Sequence, residues 1–183
     1  MNSMPENEKR LAELILYISQ RCATDKKFGF TKLNKILYFS DFIAYGKLGK
    51  SITGVEYQRL EHGPAPRRLV PVRERMIENK ELVVQSVALL GGKIQHRTVN
   101  LREPDLDMFT GSEINIVNQI IEVLADCDAE TVSELSHQEV GWKVVKDGET
   151  IPYKMVFLSD EPLTEKEIAR GQEIAKKLGL MVA

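Results

Sequence analysis

The segment from Thr31 to Pro66 constrains the fold more than any other part of the chain. Leu33, Ile36, Leu37, Ile43 and Ala44 fall on one wide helical face, while Tyr38, Phe42 and Tyr45 follow i, i+4, i+7 spacing on another. A helix that is apolar on two faces is buried on both, or offers one to a partner. The spacing predicts a helix from about Thr31 to Tyr45, ended by Gly46 and Gly49, because glycine takes the left-handed conformation that closes helices. Ser51 to Leu60 then has extended character, with Val55 and Tyr57 alternating against polar neighbours. Gly63, Pro64 and Pro66 make a rigid turn.

The flanking segments supply the cover such a helix needs. A first helix carries Leu11, Leu14, Ile15, Ile18 and Cys22 on one stripe, with Ser3 as its cap and Pro5 in its first turn. Arg67 to Lys80 reads as a third helix, where Pro71 marks either a late start or a kink. Leu82 to Leu101 reads as a hairpin around Gly91-Gly92. Pairing across that turn sets Ala88 opposite Gln95 and Ser86 opposite Arg97, which implies a bulge or a loosely packed distal half. Ser112 caps a fourth helix, with Ile114, Val117, Ile121 and Leu124 on one stripe. Thr131 with Glu134 forms a capping box for a short helix, and Thr164 with Glu167 another for a terminal helix through about Leu178. The expected class is α+β, mainly helical: a compact bundle of about five helices with a small antiparallel sheet or hairpin. Residues 1–160 are expected to form one domain, and residues 161–183 a C-terminal helix packed on it or extending it.

With 183 residues, 43% of them hydrophobic, the chain can bury one sizeable core. The net charge of -2 argues against a broad nucleic-acid surface, which needs excess lysine and arginine to neutralise phosphates. Cys22 and Cys127 sit in apolar helical contexts and read as small buried hydrophobes, not a disulfide. No apolar run approaches the ~18 residues of a membrane span, and Met1 to Lys9 has no secretory pattern, so the expected location is the cytoplasm.

Several chemical motifs fail on context. Ala44 to Ser51 matches a relaxed P-loop, yet a helix precedes it where a strand is needed, and no apolar strand ending in Asp follows. His62, His96 and His137 have no partner at zinc spacing. Ser136 and His137 are mere sequence neighbours, and no Gly-x-Ser-x-Gly elbow exists. Asp126 and Asp128 read as a solvated turn. Arg67, Arg68, Arg73 and Arg75 form the one basic concentration, partly offset by Glu74 and Glu78. The stripe Tyr38, Phe42, Tyr45 suits either a core or an interface. Neither a cofactor nor a metal is called for.

Three longer patterns then coincide. The run Lys32-Leu33-Asn34-Lys35-Ile36-Leu37-Tyr38-Phe39-Ser40-Asp41 fits a "K-L-x-K-L-L-Y-F-x-D" helix. Ile52-Thr53-Gly54-Val55-Glu56-Tyr57 fits an "I-T-G-x-x-Y" strand, and Gly63-Pro64-Ala65-Pro66 a "Y-G-P-V-P" turn. Leu135-Ser136-His137, with Trp142 five residues on, fits "L-S-H-x-x-x-x-W". In order, spacing and identity the chain resembles the Panacea family of SocA-like antitoxins, also met as phage-associated proteins. It departs at His62, where an aromatic is common, and at Ala65, where valine is common. The segment after Gly148 has no clear counterpart.

The resemblance implies a non-enzymatic antitoxin that neutralises a cognate toxin by direct contact, in some members linked to a protease or chaperone as an adaptor. It implies that the motif positions Leu33, Lys35, Tyr38, Phe39, Asp41, Gly54, Tyr57, Gly63, Pro64, Pro66, Ser136, His137 and Trp142 mainly determine the fold. An inhibitory binder needs aromatic anchors and a charged rim. Tyr38, Phe42 and Tyr45 are the candidate anchors here, with Lys47, Lys50, Arg67 and Arg68 as candidate partner contacts. The alternatives are a DNA-binding autorepressor or phage-associated regulator, and a hydrolase using His137 with a nearby carboxylate.

Overall fold

Helix α1 (Glu6–Arg21) starts directly behind Pro5, whose fixed φ suits the entry to a helix, and carries Glu6 and Glu8 against the positive end of its dipole. The computed structural model describes residues 4–162 and 164–177, so the expected cap Ser3 lies outside them. Helix α2 (Phe30–Leu48) is the central element. Its buried residues run round its whole circumference, from Lys32 to Ala44. Both of its faces are therefore consumed inside the molecule. It does not stop at Gly46. The missing side chain there lets Val156 approach to 3.4 Å of the position a Cβ would take. Gly49 ends the helix instead, at φ 75°.

The chain then makes two very short strands, β1 (Tyr57–Gln58) and β2 (Ala65–Pro66), which pair antiparallel. Helix α3 (Leu69–Glu78) starts late, with Pro71 in its first turn, where no intrahelical N–H is needed. Strands β3 (Leu82–Ala88) and β4 (Ile94–Asn100) form the hairpin. Their register is Ala88 with Ile94 and Ser86 with His96, an unbroken ladder with no bulge, one residue away from the expected pairing.

Helix α4 (Gly111–Val123) is capped by Thr110, not Ser112: Thr110 and Glu113 exchange both bonds of a capping box. Helix α5 (Ala129–His137) is capped by Asp128, which accepts from the Thr131 amide; Thr131 does not cap it. A one-turn helix α6 (Val140–Val144) leads to strand β5 (Thr150–Ile151), which pairs with β1. A short 3-10 turn, Tyr153–Phe157, precedes helix α7 (Glu165–Lys177). Thr164 and Glu167 form the expected capping box; Leu178, the expected end, lies outside the described residues.

Seven α-helices occur among the described residues, with one three-stranded sheet (β2-β1-β5) and one two-stranded sheet, both antiparallel. The class is α+β, mainly helical. The core gathers Leu11, Leu14, Ile15 and Ile18 of α1, Leu33, Ile36 and Leu37 of α2, and Val117 of α4. Each such side chain contributes about 1.5–3 kcal/mol on burial. Lys32, although 1% exposed, satisfies its ammonium with Asp25 at 2.7 Å and the carbonyls of Ala125 and Cys127, both at 2.9 Å. That cluster ties the α4–α5 link to the first turn of α2. Among the described residues no helix is long and apolar enough to cross a membrane.

Candidate functional site

Two buried polar latches on α2 organise the stretch from Ser51 to Pro66. The first is Asp41, which has no solvent exposure. It accepts from the Thr53 amide at 2.7 Å, the Thr53 hydroxyl at 2.5 Å and the Tyr57 hydroxyl at 2.7 Å. Gly54 lies between those donors at φ 74°. A buried carboxylate is tolerable only with such a set of donors. Burial pushes the Asp41 carboxyl up, and the bonds from Thr53 and Tyr57 oppose it. Burial and the neighbouring Asp41 push the Tyr57 hydroxyl well above its ordinary range. At neutral pH the phenol is therefore a proton donor.

The second latch is Lys35, 1% exposed, which donates to the Pro64 carbonyl at 3.1 Å. Burial pulls its ammonium from 10.5 down to about 7. The turn it grips is sterically closed. Gly63 takes φ 92°, and a Cβ there would stand 2.3 Å from the Ser136 hydroxyl and 2.7 Å from the Lys35 ammonium. The Gly63-Pro64 turn is thus clamped between α2 and α5. Ser136 is fully buried and spends its hydroxyl on the Ser133 carbonyl at 2.7 Å. Beside it, His137 stacks on Trp142 with ring centroids 4.0 Å apart. The Arg59 guanidinium sits 4.1 Å from the Trp142 ring centroid, and the indole donates to the Leu60 carbonyl at 3.1 Å. Burial, then the charge of Lys35, pulls the His137 imidazole below its ordinary range. Motif residues from both ends of the chain therefore meet around one turn, and they build the scaffold.

The aromatic stripe divides. Tyr38 is 1% exposed and Phe42 4%, so neither is available as a surface anchor. Both are core: Tyr38 packs on Phe42 at 4.3 Å, and Phe42 on Tyr57 at 5.6 Å. Spacing placed the three rings on one face, but that face turns toward β1 and the Tyr153–Phe157 turn, which cover it. Only Tyr45 reaches the edge. It is half-buried, stacked on Tyr153 at 5.4 Å and 6.0 Å from Phe157. Lys47 and Lys50 follow it, both exposed.

Arg67 and Arg68 are exposed but engaged elsewhere. Arg68 pairs with Glu8 at 2.8 Å, while Arg67 donates to the Gly148 carbonyl at 2.9 Å and lies 3.6 Å from Glu56. Arg75 approaches Glu8 at 3.8 Å, and Arg73 lies 3.9 Å from the Phe30 ring centroid. The cluster is offset by Glu8 and Glu56, and at Arg73 by the charge of Glu74 as expected. Arg68 and Arg75 lie on the α1–α3 seam, while Arg67 turns to Glu56 and Gly148 and Arg73 to Phe30 of α2. Leu33 and Pro66 are buried in the fold, and Phe39 is half-buried against the core.

Sequence reasoning missed Tyr153, Phe157 and Leu158. Tyr153 donates to the Val55 carbonyl at 2.6 Å, and Phe157 is 66% exposed beside Tyr45. They carry no motif signal, because the segment after Gly148 fits none of the patterns that flag the rest. A run in which Tyr153, Val156, Phe157 and Leu158 crowd together was the available hint. A protein-family model described as Antitoxin SocA-like, Panacea domain, matches residues 33–143. No curated protein and no solved structure matches the chain.

Proposed function

The chain belongs to the antitoxin SocA-like, Panacea domain family, and from that premise we propose that it neutralises a cognate toxin by direct protein–protein contact, without catalysis. The observation that carries this reading is the family match across more than half of the chain. The two latches agree with it. Asp41, Lys35 and Ser136 are held at 0%, 1% and 0% exposure, where they shape the fold rather than meet a ligand. A scaffold of that kind holds a surface rigid, which lowers the entropy cost of binding. The partner is a toxin, and engagement of a protease or chaperone would follow from the same surface-binding role.

The test is co-expression with the product of the neighbouring gene. That product is expected to arrest growth alone and to be harmless when this chain is present, with the two proteins co-purifying. If no neighbouring product is toxic, or if protection occurs without a complex, the reading fails.

A hydrolytic reading would make His137 a base, and its Nε2 has no hydrogen-bond partner among the described residues. The stacking on Trp142 supports a packing role instead. His137→Ala is therefore expected to lower the melting temperature and protection together. Loss of protection at unchanged melting would favour chemistry.

A further inference from the structure

We propose that the C-terminal end of α2 and the Tyr153–Phe157 turn together form the docking surface for an acidic partner protein, one presenting an apolar cleft ringed by carboxylates. The proposal rests on the antitoxin reading and names the face that such a reading needs.

Exposed apolar area gathers there. Phe157 is 66% exposed, Leu158 56% and Leu48 39%. Scattered exposed hydrophobics are ordinary, but a contiguous set with an aromatic at its centre marks an interface. Phe157 is also held in place. Its ring packs 6.0 Å from Tyr45, Tyr45 is stacked on Tyr153, and Val156 seats against Gly46 on α2. A ring fixed in advance loses little conformational entropy on binding, which is what hot-spot anchors share.

Two cations beside it are left unpaired. Lys47 lies on the last turn of α2, and Lys154 stands three residues before Phe157 in a 3-10 turn, where i and i+3 side chains eclipse. Neither makes an ion pair among the described residues. Lys50, 67% exposed, pairs with Glu113 at 3.7 Å and is not one of them. The nearby Asp160 is already taken by Lys143. Two unpaired ammonium groups, Lys47 and Lys154, beside an aromatic knob complement a carboxylate-ringed cleft, and they do so on a chain whose net charge is -2. The hairpin tip also exposes Ile94 and Lys93, but it has no exposed aromatic, and Asp128 and Glu130 line the same groove.

The probe is the purified growth-inhibitory product of the neighbouring gene, titrated calorimetrically into the full chain. Phe157→Ser is expected to weaken binding about thirtyfold, as hot-spot truncations do. The Lys47→Glu/Lys154→Glu pair is expected to slow association and to flatten its dependence on salt. Neither lysine is in the core, so this second variant keeps its fold whatever Phe157→Ser does. Val123→Ser is the control. Val123 is 72% exposed on α4, beside the Ala125 and Cys127 carbonyls that bind Lys32 at the opposite end of α2. It is expected to bind like wild type. If the wild-type chain binds and protects but both site variants do so equally well, the surface is wrong and the antitoxin reading stands. If the wild-type chain neither binds nor protects, the antitoxin reading falls and takes the surface with it.

Discussion

At Lys35 an ammonium is held out of water with the Pro64 carbonyl as its hydrogen-bond partner. Its folded-state pKa, about 7, lies below the unfolded value of 10.5. Between those values the unfolded chain binds more protons, so stability rises with pH there and is lost as pH falls through about 7. The melting temperature is expected to be higher at about pH 8.5 than at about pH 6.5, and Lys35→Met to flatten that rise. A rise that survives in the methionine variant would assign it to another group. Cys22, pushed up to about 11 by burial, acts in the opposite sense, but only once pH climbs past its ordinary 9.0. Asp41 makes a separate demand. Asparagine there turns one acceptor oxygen into a donor facing other donors, so Asp41→Asn is expected to cost about 1–3 kcal/mol in urea unfolding. The two motif glycines should differ. Gly54→Ala meets only the strain of φ 74°, with Asn7 at 3.8 Å, and is expected to cost about 1–2 kcal/mol. Gly63→Ala adds collisions with Ser136 and Lys35, and is expected to cost clearly more in the same assay.

Among the elements, starts and registers were decided by partners that periodicity does not display. Thr110 and Ser112 are both acceptable caps by residue type, and Glu113 selects Thr110 by bonding back to its amide at 2.7 Å. Thr110→Ala is expected to destabilise the protein by about 1 kcal/mol, while Ser112→Ala stays near neutral. Equal effects in thermal unfolding would contradict that assignment. The hairpin illustrates the same point. Gly91-Gly92 invites a two-residue turn, yet the loop closes wider, with the Leu89 amide bonded to the Lys93 carbonyl at 2.8 Å. The reason lies on α1. Ser19 bonds Thr98, and Asn100 donates to the Leu16 carbonyl at 2.8 Å. A slip of one residue would turn both of those inward side chains to solvent.

For the molecule as a whole, α2 is the axis on which everything else closes. α1, α4, α5 and the Tyr153–Phe157 turn all pack on it, and β5 returns the chain to β1. Helix α7 differs. Its described side chains are exposed, from Glu165 through Glu173 and at Lys176. A chain ending after Asp160 is therefore expected to melt within a few degrees of the full chain. A large drop would show that α7 is part of the cooperative unit.

By itself the sequence determined the helices other than α6, the stripe of α1, the α+β class and the family, because those depend on local spacing and on residue identities along the chain; on α4 it put Ile114 and Ile121 on the buried stripe, where the structure buries Ile116 and Ile120. It also placed Tyr45, Lys47 and Lys50 at the end of the central helix. Only the tertiary structure decided that Tyr38 and Phe42 are core, that the Arg67–Arg75 cations are drawn toward Glu8, Glu56 and Phe30, and that Phe157 stands beside Tyr45. Periodicity shows which side chains share a face. What covers that face depends on segments more than 90 residues away, such as Tyr153 donating to the Val55 carbonyl, and no local pattern encodes their approach.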